Sequence, residues 1–552
     1  MSVLASFLSR LQVSPFTAAT LLSLLTAVIV LVVPWAVDKR GLRRFPGPFF
    51  AQFTDFWLGS VASSGRRCET IYALHEKYGP LVRIAPNHVS LADPDALHAV
   101  YAHGSNLMKS DFYDVFVTIT PGLFNTRDRA AHARKRKIIS HAFSLKSVLD
   151  FQPIIHVHLK TLLYHWDRIC EQSAKGCDGE VGDCRWVGRD GRAWFDCFPW
   201  WGYLSFDIIG DLCFGSPFGM LAAAADAVPV VEEQSSAIAQ YGQKAPQAES
   251  QTVKYFIPAV RVLHKRGAHA ASAGVLRPFW RAIINRIVPW YSTGHKASQD
   301  LTRMAIAAVA KRLATPVSDR IDILSRLREG KDEFGEPLGP EELTAEAQTL
   351  MLAGSDTTTN TLTAAMYYLA GHPVCQRKLQ HELDEALATE ASEIPFFESI
   401  KNLEYLNAVM SETLRLHSVL GQGVERVVPK EGVTVLGQYF AEGTVLSVPS
   451  YNLHHNEAVW GEDVNVFRPE RWLEQDMSAT SKAFYPFSFG PRACVGRNLA
   501  LMDIPVVIAT MMRRYDFVLE DMSAPDVLPV SEAFLRKPRG CRVGVRLRFE
   551  QH

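Results

Sequence analysis

The stretch FSFGPRACVG, residues 487–496, holds the side chain best placed for chemistry. Cys494 stands two residues after Arg492 and two before Gly496, with Gly490 and Pro491 just upstream. Glycines at these positions let backbone N–H groups approach the sulfur, and Arg492 adds positive charge. The following CVGRNLALMDIPVVIATMMRRY reads as a helix that starts at the sulfur. Amide donors, a cation and a helix dipole all favour a thiolate, the form of sulfur that holds iron. The competing reading is an inert buried cysteine.

A second concentration of polar groups is SDTTTNT, residues 355–361. It interrupts the apolar pattern LGPEELTAEAQTLMLAGSDTTTNTLTAAMYYLAGHP, which reads as a long helix. Pro340, Glu341 and Glu342 suit its first turn, and Gly371–Pro373 stop it. Ser and Thr side chains compete for backbone groups, so the notch predicts either a bend or a polar event against the helix. Glu412 and Arg415 have the spacing of a helical ion pair. RKRK, residues 134–137, reads as a solvated helix face or a docking place for an acidic partner.

The elements that must position these residues are mostly helices, at 69–79, 94–102, 128–142, 148–172, 196–213, 340–370, 373–389 and 401–417. Extended stretches are expected at 81–92 and 433–449, the latter broken like hairpins by Gly437 and Gly443. The chain has 552 residues, 47% apolar and 21% charged, so a substantial core is available. Lys+Arg and Asp+Glu both number 58. With no global basic field, nucleic acid is set aside as a partner. The nine cysteines include no CxxC pair. Cys170, Cys177 and Cys184 are the only cluster that suggests a disulfide or metal, and their Gly- and Asp-rich segment reads as a surface loop.

Residues 16–37 are 22 in number and carry no charge, which predicts a membrane-spanning helix after a short segment 1–15. Lys39, Arg40, Arg43 and Arg44 follow it, against Arg10 alone before it. That bias orients everything downstream to the cytoplasm. Residues 38–48, ending in RRFPGP, form a stiff basic hinge, and 49–552 read as one catalytic domain.

FSFGPRACVG resembles the haem-binding loop of the cytochrome P-450 haem-thiolate monooxygenases, with Phe487, Gly490, Arg492, Cys494 and Gly496 all in place. AGSDTT (353–358), ETLR (412–415) and FRPERW (467–472) occur in that superfamily's order. The resemblance implies a mainly α fold with a small β-sheet subdomain behind one N-terminal transmembrane helix, with haem b as cofactor. Cys494 is implied as the axial iron ligand, and Asp356 with Thr357 as an acid–alcohol pair that delivers protons where water is excluded. Arg492, Arg426 and Arg136 are implied as holders of the haem propionates. His132 stands where the family often has tryptophan, as a further donor. Glu412, Arg415 and Arg471 would form a buried network. Electrons would come from NADPH through NADPH–cytochrome P-450 reductase, with cytochrome b5 as a second donor; Arg134, Lys135 and Lys137 are docking candidates. The microsomal character implies the endoplasmic reticulum. Pro505 departs from a regular helix and predicts a kink.

Within the superfamily, DFYDVFVTITPGLFNTRDRAAHARKRKIISHAFS (111–144) is similar to the fungal benzoate 4-monooxygenase group, the likeness weakening between about 220 and 310. It implies para-hydroxylation of benzoate; another aromatic, a xenobiotic or a secondary metabolite is the alternative. A buried carboxylate needs a partner. Ser110, Tyr113, Thr118, Thr120, Asn125 and Arg127 are the candidate donors.

Overall fold

In a computed structural model of the chain, which describes residues 15–230, 255–314, 322–332, 334–474 and 480–549, the polar notch lies inside a 32-residue helix, Pro340–Gly371. Proline at its start wastes no hydrogen bond, and Glu341 and Glu342 face the positive end of the dipole. This central helix packs most extensively on Phe198–Phe214, a helix buried without a break from Trp200 onward. A helix apolar on all sides belongs in a core. Helix Arg497–Arg514, which follows the cysteine loop, packs on the central helix too. One apolar cluster joins Leu123 to Val545 through Trp166, Trp200, Trp201 and Met351.

Helices fill most of the described chain, and small sheets flank them. The first sheet has the order Leu81–Ala85, His88–Leu91, Val445–Ser447, Arg426–Val427, Met108–Lys109. Its last pairing is antiparallel and sets Lys109 opposite Arg426. The hairpin Val433–Val435/Gln438–Phe440 turns through positive φ at Leu436 and Gly437.

The second five-stranded sheet corrects one expectation. The segment with Cys177 and Cys184 forms strands Gly179–Val181 and Cys184–Arg189, which extend Arg192–Asp196, Arg542–Leu547 and Tyr515–Leu519 at one edge. Cys170 is buried at the end of helix Gln152–Ala174 and Cys184 is buried in its strand, so only Cys177 is exposed. All nine cysteines are free thiols, and no metal-binding cluster of His, Cys, Asp or Glu occurs among the described residues.

The expected anchor is a helix, Pro15–Val37, with exposed Leu21, Leu22, Leu25, Val28 and Ile29. Among the described residues no helix is long and apolar enough to cross a membrane. Most of the segment 1–15, with Arg10, lies outside the described residues. The hinge is less stiffly extended than its prolines suggest. Asp38 caps a 3-10 turn at Leu42–Arg44, Arg40 and Arg44 donate to Glu442 and Tyr439 carbonyls, and Phe45 stacks on Phe440 at 5.2 Å. Helix Arg497–Arg514 runs through Pro505 as one element.

Candidate active site

Cys494 is carried by a loop that only its glycine permits. Gly490 has φ +70°, and a Cβ there would stand 1.9 Å from the Tyr101 carbonyl oxygen. The loop closes on itself: Ala493 N–H donates to Gly490 at 3.0 Å and Cys494 N–H to Phe487 at 2.9 Å. Gly496 caps the following helix, so that helix begins three residues past the sulfur rather than at it. The thiol faces a cavity of about 360 Å³ and is otherwise enclosed by protein. Burial pushes its pKa up, while the Gly496 amide, Arg136 and Arg497 pull against that.

The cavity is also lined by Ala353, Gly354, Asp356 and Thr357 from the central helix. Thr357 Oγ1 donates to the Ala353 carbonyl at 2.6 Å. Asp356 accepts from Lys537 Nζ at 3.0 Å. Lys537, on strand Arg536–Pro538, and His264 line the cavity beside it. Burial lowers the His264 pKa, and Lys537 lowers it further.

Three cations gather on one side: Lys109, Arg426 and Arg492. Their hydrogen bonds run to neutral oxygens: Lys109 to the Phe124 carbonyl, Arg426 to the Glu425 carbonyl at 2.9 Å and the Tyr113 hydroxyl at 3.5 Å, and Arg492 to the Thr126 carbonyl at 2.6 Å and the Arg127 carbonyl at 3.0 Å. Burial and the neighbouring guanidiniums hold the Lys109 pKa well down and bring Arg492 to about 10. His132 is buried near them; burial and the same cations lower its pKa to about 3, so it is neutral. Like charges packed this closely need anions. A thiol and a cation cluster on one cavity are the donor set that a haem with two propionate carboxylates requires, and the residues fit that group.

Arg136 is not among the side chains that line the cavity. It donates to the Ala493 carbonyl at 2.6 Å and braces the loop beside the sulfur. Phe487 lines the cavity under Arg497, whose guanidinium is 6.0 Å from its ring. Away from the cavity, Glu412 receives Arg415 at 2.8 Å and Arg471 at 2.9 Å, with Trp472 Nε1 at 2.9 Å. Burial alone would raise the Glu412 pKa, but the two guanidiniums outweigh it and hold it low.

The basic run is not a free face. Arg134 pairs with Glu342 at 2.5 Å, and Lys135, only 4% exposed, pairs with Glu342 at 2.8 Å and Glu346 at 3.4 Å. Both are spent on the start of the central helix, because an amphipathic helix buries one side of any charge run. Only Lys137 is exposed.

Of the six candidate carboxylate donors, the cavity includes Tyr113 and Asn125, whose Oδ1 has no partner. Ser110 donates to Glu425, Thr118 to Gln348, and Arg127 pairs with Asp114 at 2.8 Å; Thr120 is off the cavity. Sequence reasoning missed Lys109 and Lys537. A two-residue strand gives no periodic signal for the first, and Lys537 is 181 positions from the acid it meets.

A family model described as Cytochrome P-450 matches residues 46–545. The chain belongs to the cytochrome P-450 family. It is 41% identical to a benzoate 4-monooxygenase of Aspergillus niger over 547 residues, 98% of each chain. A cytochrome P-450 monooxygenase of Penicillium aethiopicum is 30% identical over 95% of this chain and 98% of its own. A pisatin demethylase of Fusarium vanettenii is 28% identical over 86% and 85%. This cytochrome P-450 is therefore an oxidoreductase, a monooxygenase with haem as cofactor. A reductase passes it electrons from NAD(P)H, and its substrate is a small molecule.

Proposed function

We propose that this monooxygenase hydroxylates a small aromatic carboxylic acid, benzoate to 4-hydroxybenzoate foremost. The observation that carries the reading is the 41% identity, held over 98% of both chains, to a benzoate 4-monooxygenase. The cavity supports it. Phe116 and Phe124 lie 5.3 Å apart by ring centroid, and Phe534 stands 4.8 Å from Phe116 and 5.7 Å from Phe124. Edge-to-face rings of this kind suit a planar aromatic guest. One oxygen atom enters the ring and the other leaves as water, with two electrons from NADPH and two protons.

Bound haem supplies the activation of dioxygen. Cys494 would hold its iron, and Arg136, through the Ala493 carbonyl, fixes the loop that presents the sulfur. Lys109, Arg426 and Arg492, with neutral His132 as an N–H donor, would hold the propionates, and Phe487 would contribute an apolar wall to the cavity. Thr357 and Asp356 hold and move protons at the hydroxyl and carboxylate. Lys537 keeps the carboxylate in place. Glu412, Arg415 and Arg471 tie the supporting helix to the FRPERW segment.

The helix over 16–37 carries no charge and exposes Leu21, Leu22, Leu25, Val28 and Ile29, and we read it as a single-pass anchor that leaves the domain 49–552 on the cytoplasmic side of the endoplasmic reticulum. Cytochrome b5 is a second electron donor in this reading.

Titration of the ferric holoenzyme tests the substrate. Benzoate should give a saturable low- to high-spin shift and benzamide none. No shift with benzoate at any soluble concentration overturns the benzoate assignment.

A further inference from the structure

Arg266 sits in helix Ala259–Gly274, is 7% exposed, and lines the same cavity as Cys494. Its contacts are neutral. Nε donates to Ser298 Oγ at 3.3 Å, an Nη donates to the Phe116 carbonyl at 3.5 Å, and the guanidinium stands 5.4 Å from the Phe116 ring centroid. Several other deeply buried arginines meet carboxylates: Arg415 and Arg471 meet Glu412, Arg536 meets Glu532, and Arg281 meets Asp111. No carboxylate among the described residues pairs with Arg266. Burial lowers its pKa to about 10.

An unpaired guanidinium in an apolar wall is costly, and the cost is relieved by an anion that enters the cavity. Its planar fork matches a carboxylate with two parallel hydrogen bonds. The ring it covers, Phe116, belongs to an aromatic group that also includes Phe112 at 5.8 Å and Phe534 at 4.8 Å. One cation against several aromatic rings is complementary to a molecule with one carboxylate on an aromatic ring.

We infer that Arg266 is the carboxylate anchor of the substrate pocket, pairing with a small aromatic acid whose ring packs on Phe116. The inference rests on the reading of the protein as an aromatic-acid hydroxylase. It also gives that reading a source of regiochemistry, because the para carbon is the ring atom farthest from an anchored carboxylate. The anchor comes from the segment 255–314, not from the donors at 110–127.

The test is a comparison of ligands in haem-loaded Arg266→Gln and Arg266→Lys proteins, using benzoate and neutral toluene, followed by the spin shift and by ligand-induced thermal stabilisation. Arg266→Gln should weaken benzoate at least about 30-fold, the low end of what breaking a buried charge pair costs. Toluene should change by less than about threefold, since its ring contacts remain, and Arg266→Lys should recover part of the benzoate affinity. If the wild type binds benzoate and Arg266→Gln binds it equally well, the anchor is overturned while the proposed function stands. If the wild type ignores benzoate but binds 2-naphthoate in an Arg266-dependent way, the anchor stands and the benzoate assignment falls. Binding of toluene and of no aromatic acid overturns both. Where Arg266→Gln yields no haem-loaded protein, the benzoate-to-toluene affinity ratio in Arg266→Lys decides: a fall supports the anchor and an unchanged ratio overturns it.

Discussion

Lys537 donates to Asp356 across 3.0 Å and so ties strand Arg536–Pro538 to the polar notch of the central helix. Both side chains are largely shielded, Lys537 at 5% exposure and Asp356 at 12%. The carboxylate beside Thr357 is therefore held by a cation from another part of the chain. Lys537→Met keeps the aliphatic stem and removes the ammonium. It should lower kcat with little change in benzoate affinity, whereas Asp356→Asn should lower kcat by about 100-fold, the usual scale for losing a proton-transfer group. Steady-state kinetics beside a spin-shift titration separates the two effects.

Thr357→Ala removes the hydroxyl that lines the cavity and back-bonds to Ala353. The variant should still consume NADPH but release most of it as peroxide, with little hydroxylated product. Equal yields of product per NADPH in variant and wild type would exclude a proton-handling role for Thr357.

Gly490→Ala sets a Cβ against the Tyr101 carbonyl at 1.9 Å and forces a side chain into φ +70°. Backbone cannot yield as a flexible side chain can, so the cysteine loop must shift. The prediction is loss of most haem incorporation, read as the loss of the reduced carbon-monoxide absorption band per mole of protein. Retention of full haem content would show that the loop tolerates the side chain.

Glu412→Gln leaves Arg415 buried without its anion and Arg471 with Asp463 alone, and should cost about 3–5 kcal/mol of stability. Burial works against the ionised Glu412, but the guanidiniums hold its pKa below the ordinary 4.5. The folded protein thus binds fewer protons there than the unfolded chain. The stabilisation is full above pH 4.5 and is lost as pH falls through the lower folded value. Urea unfolding from pH 7 down to pH 3 should show the gap between wild type and variant narrowing at the acid end.

Asp503 behaves in the opposite sense. It is buried in helix Arg497–Arg514, its Oδ1 has no partner, and burial raises its pKa from 3.8 to about 7 despite His158. The folded state holds a proton that the unfolded chain gives up, so stability falls as pH rises from 3.8 through 7. Asp503→Asn should raise the melting temperature at pH 8 and leave it nearly unchanged at pH 3.5. The same melting temperature as wild type at pH 8 would contradict the burial argument.

Local signals were legible wherever one segment carries its own punctuation. Pro340 and Pro373 bound the central helix within a residue of the expected limits, and Gly490 marks a loop because no other residue fits there. Alternation and glycines likewise placed the strands near 81–92 and 433–449. What depends on pairing across the chain was not legible. Lys109 opposite Arg426, and Lys537 on Asp356, join residues that no periodicity relates. RKRK read as surface because a charge run does not say which of its members the helix turns inward; Glu342 and Glu346 decide that. Arg266 was passed over for a similar reason. One arginine in an amphipathic helix is ordinary, and only its lack of a carboxylate beside a cavity makes it stand out.

The central claim is hydroxylation of an aromatic acid, and product analysis tests it most directly. Full-length protein is incubated with NADPH–cytochrome P-450 reductase, NADPH, oxygen and benzoate, and the products are separated and identified. The expected product is 4-hydroxybenzoate, formed in proportion to NADPH oxidised. Oxidation of NADPH with no hydroxybenzoate, from an enzyme whose haem is intact, would contradict it.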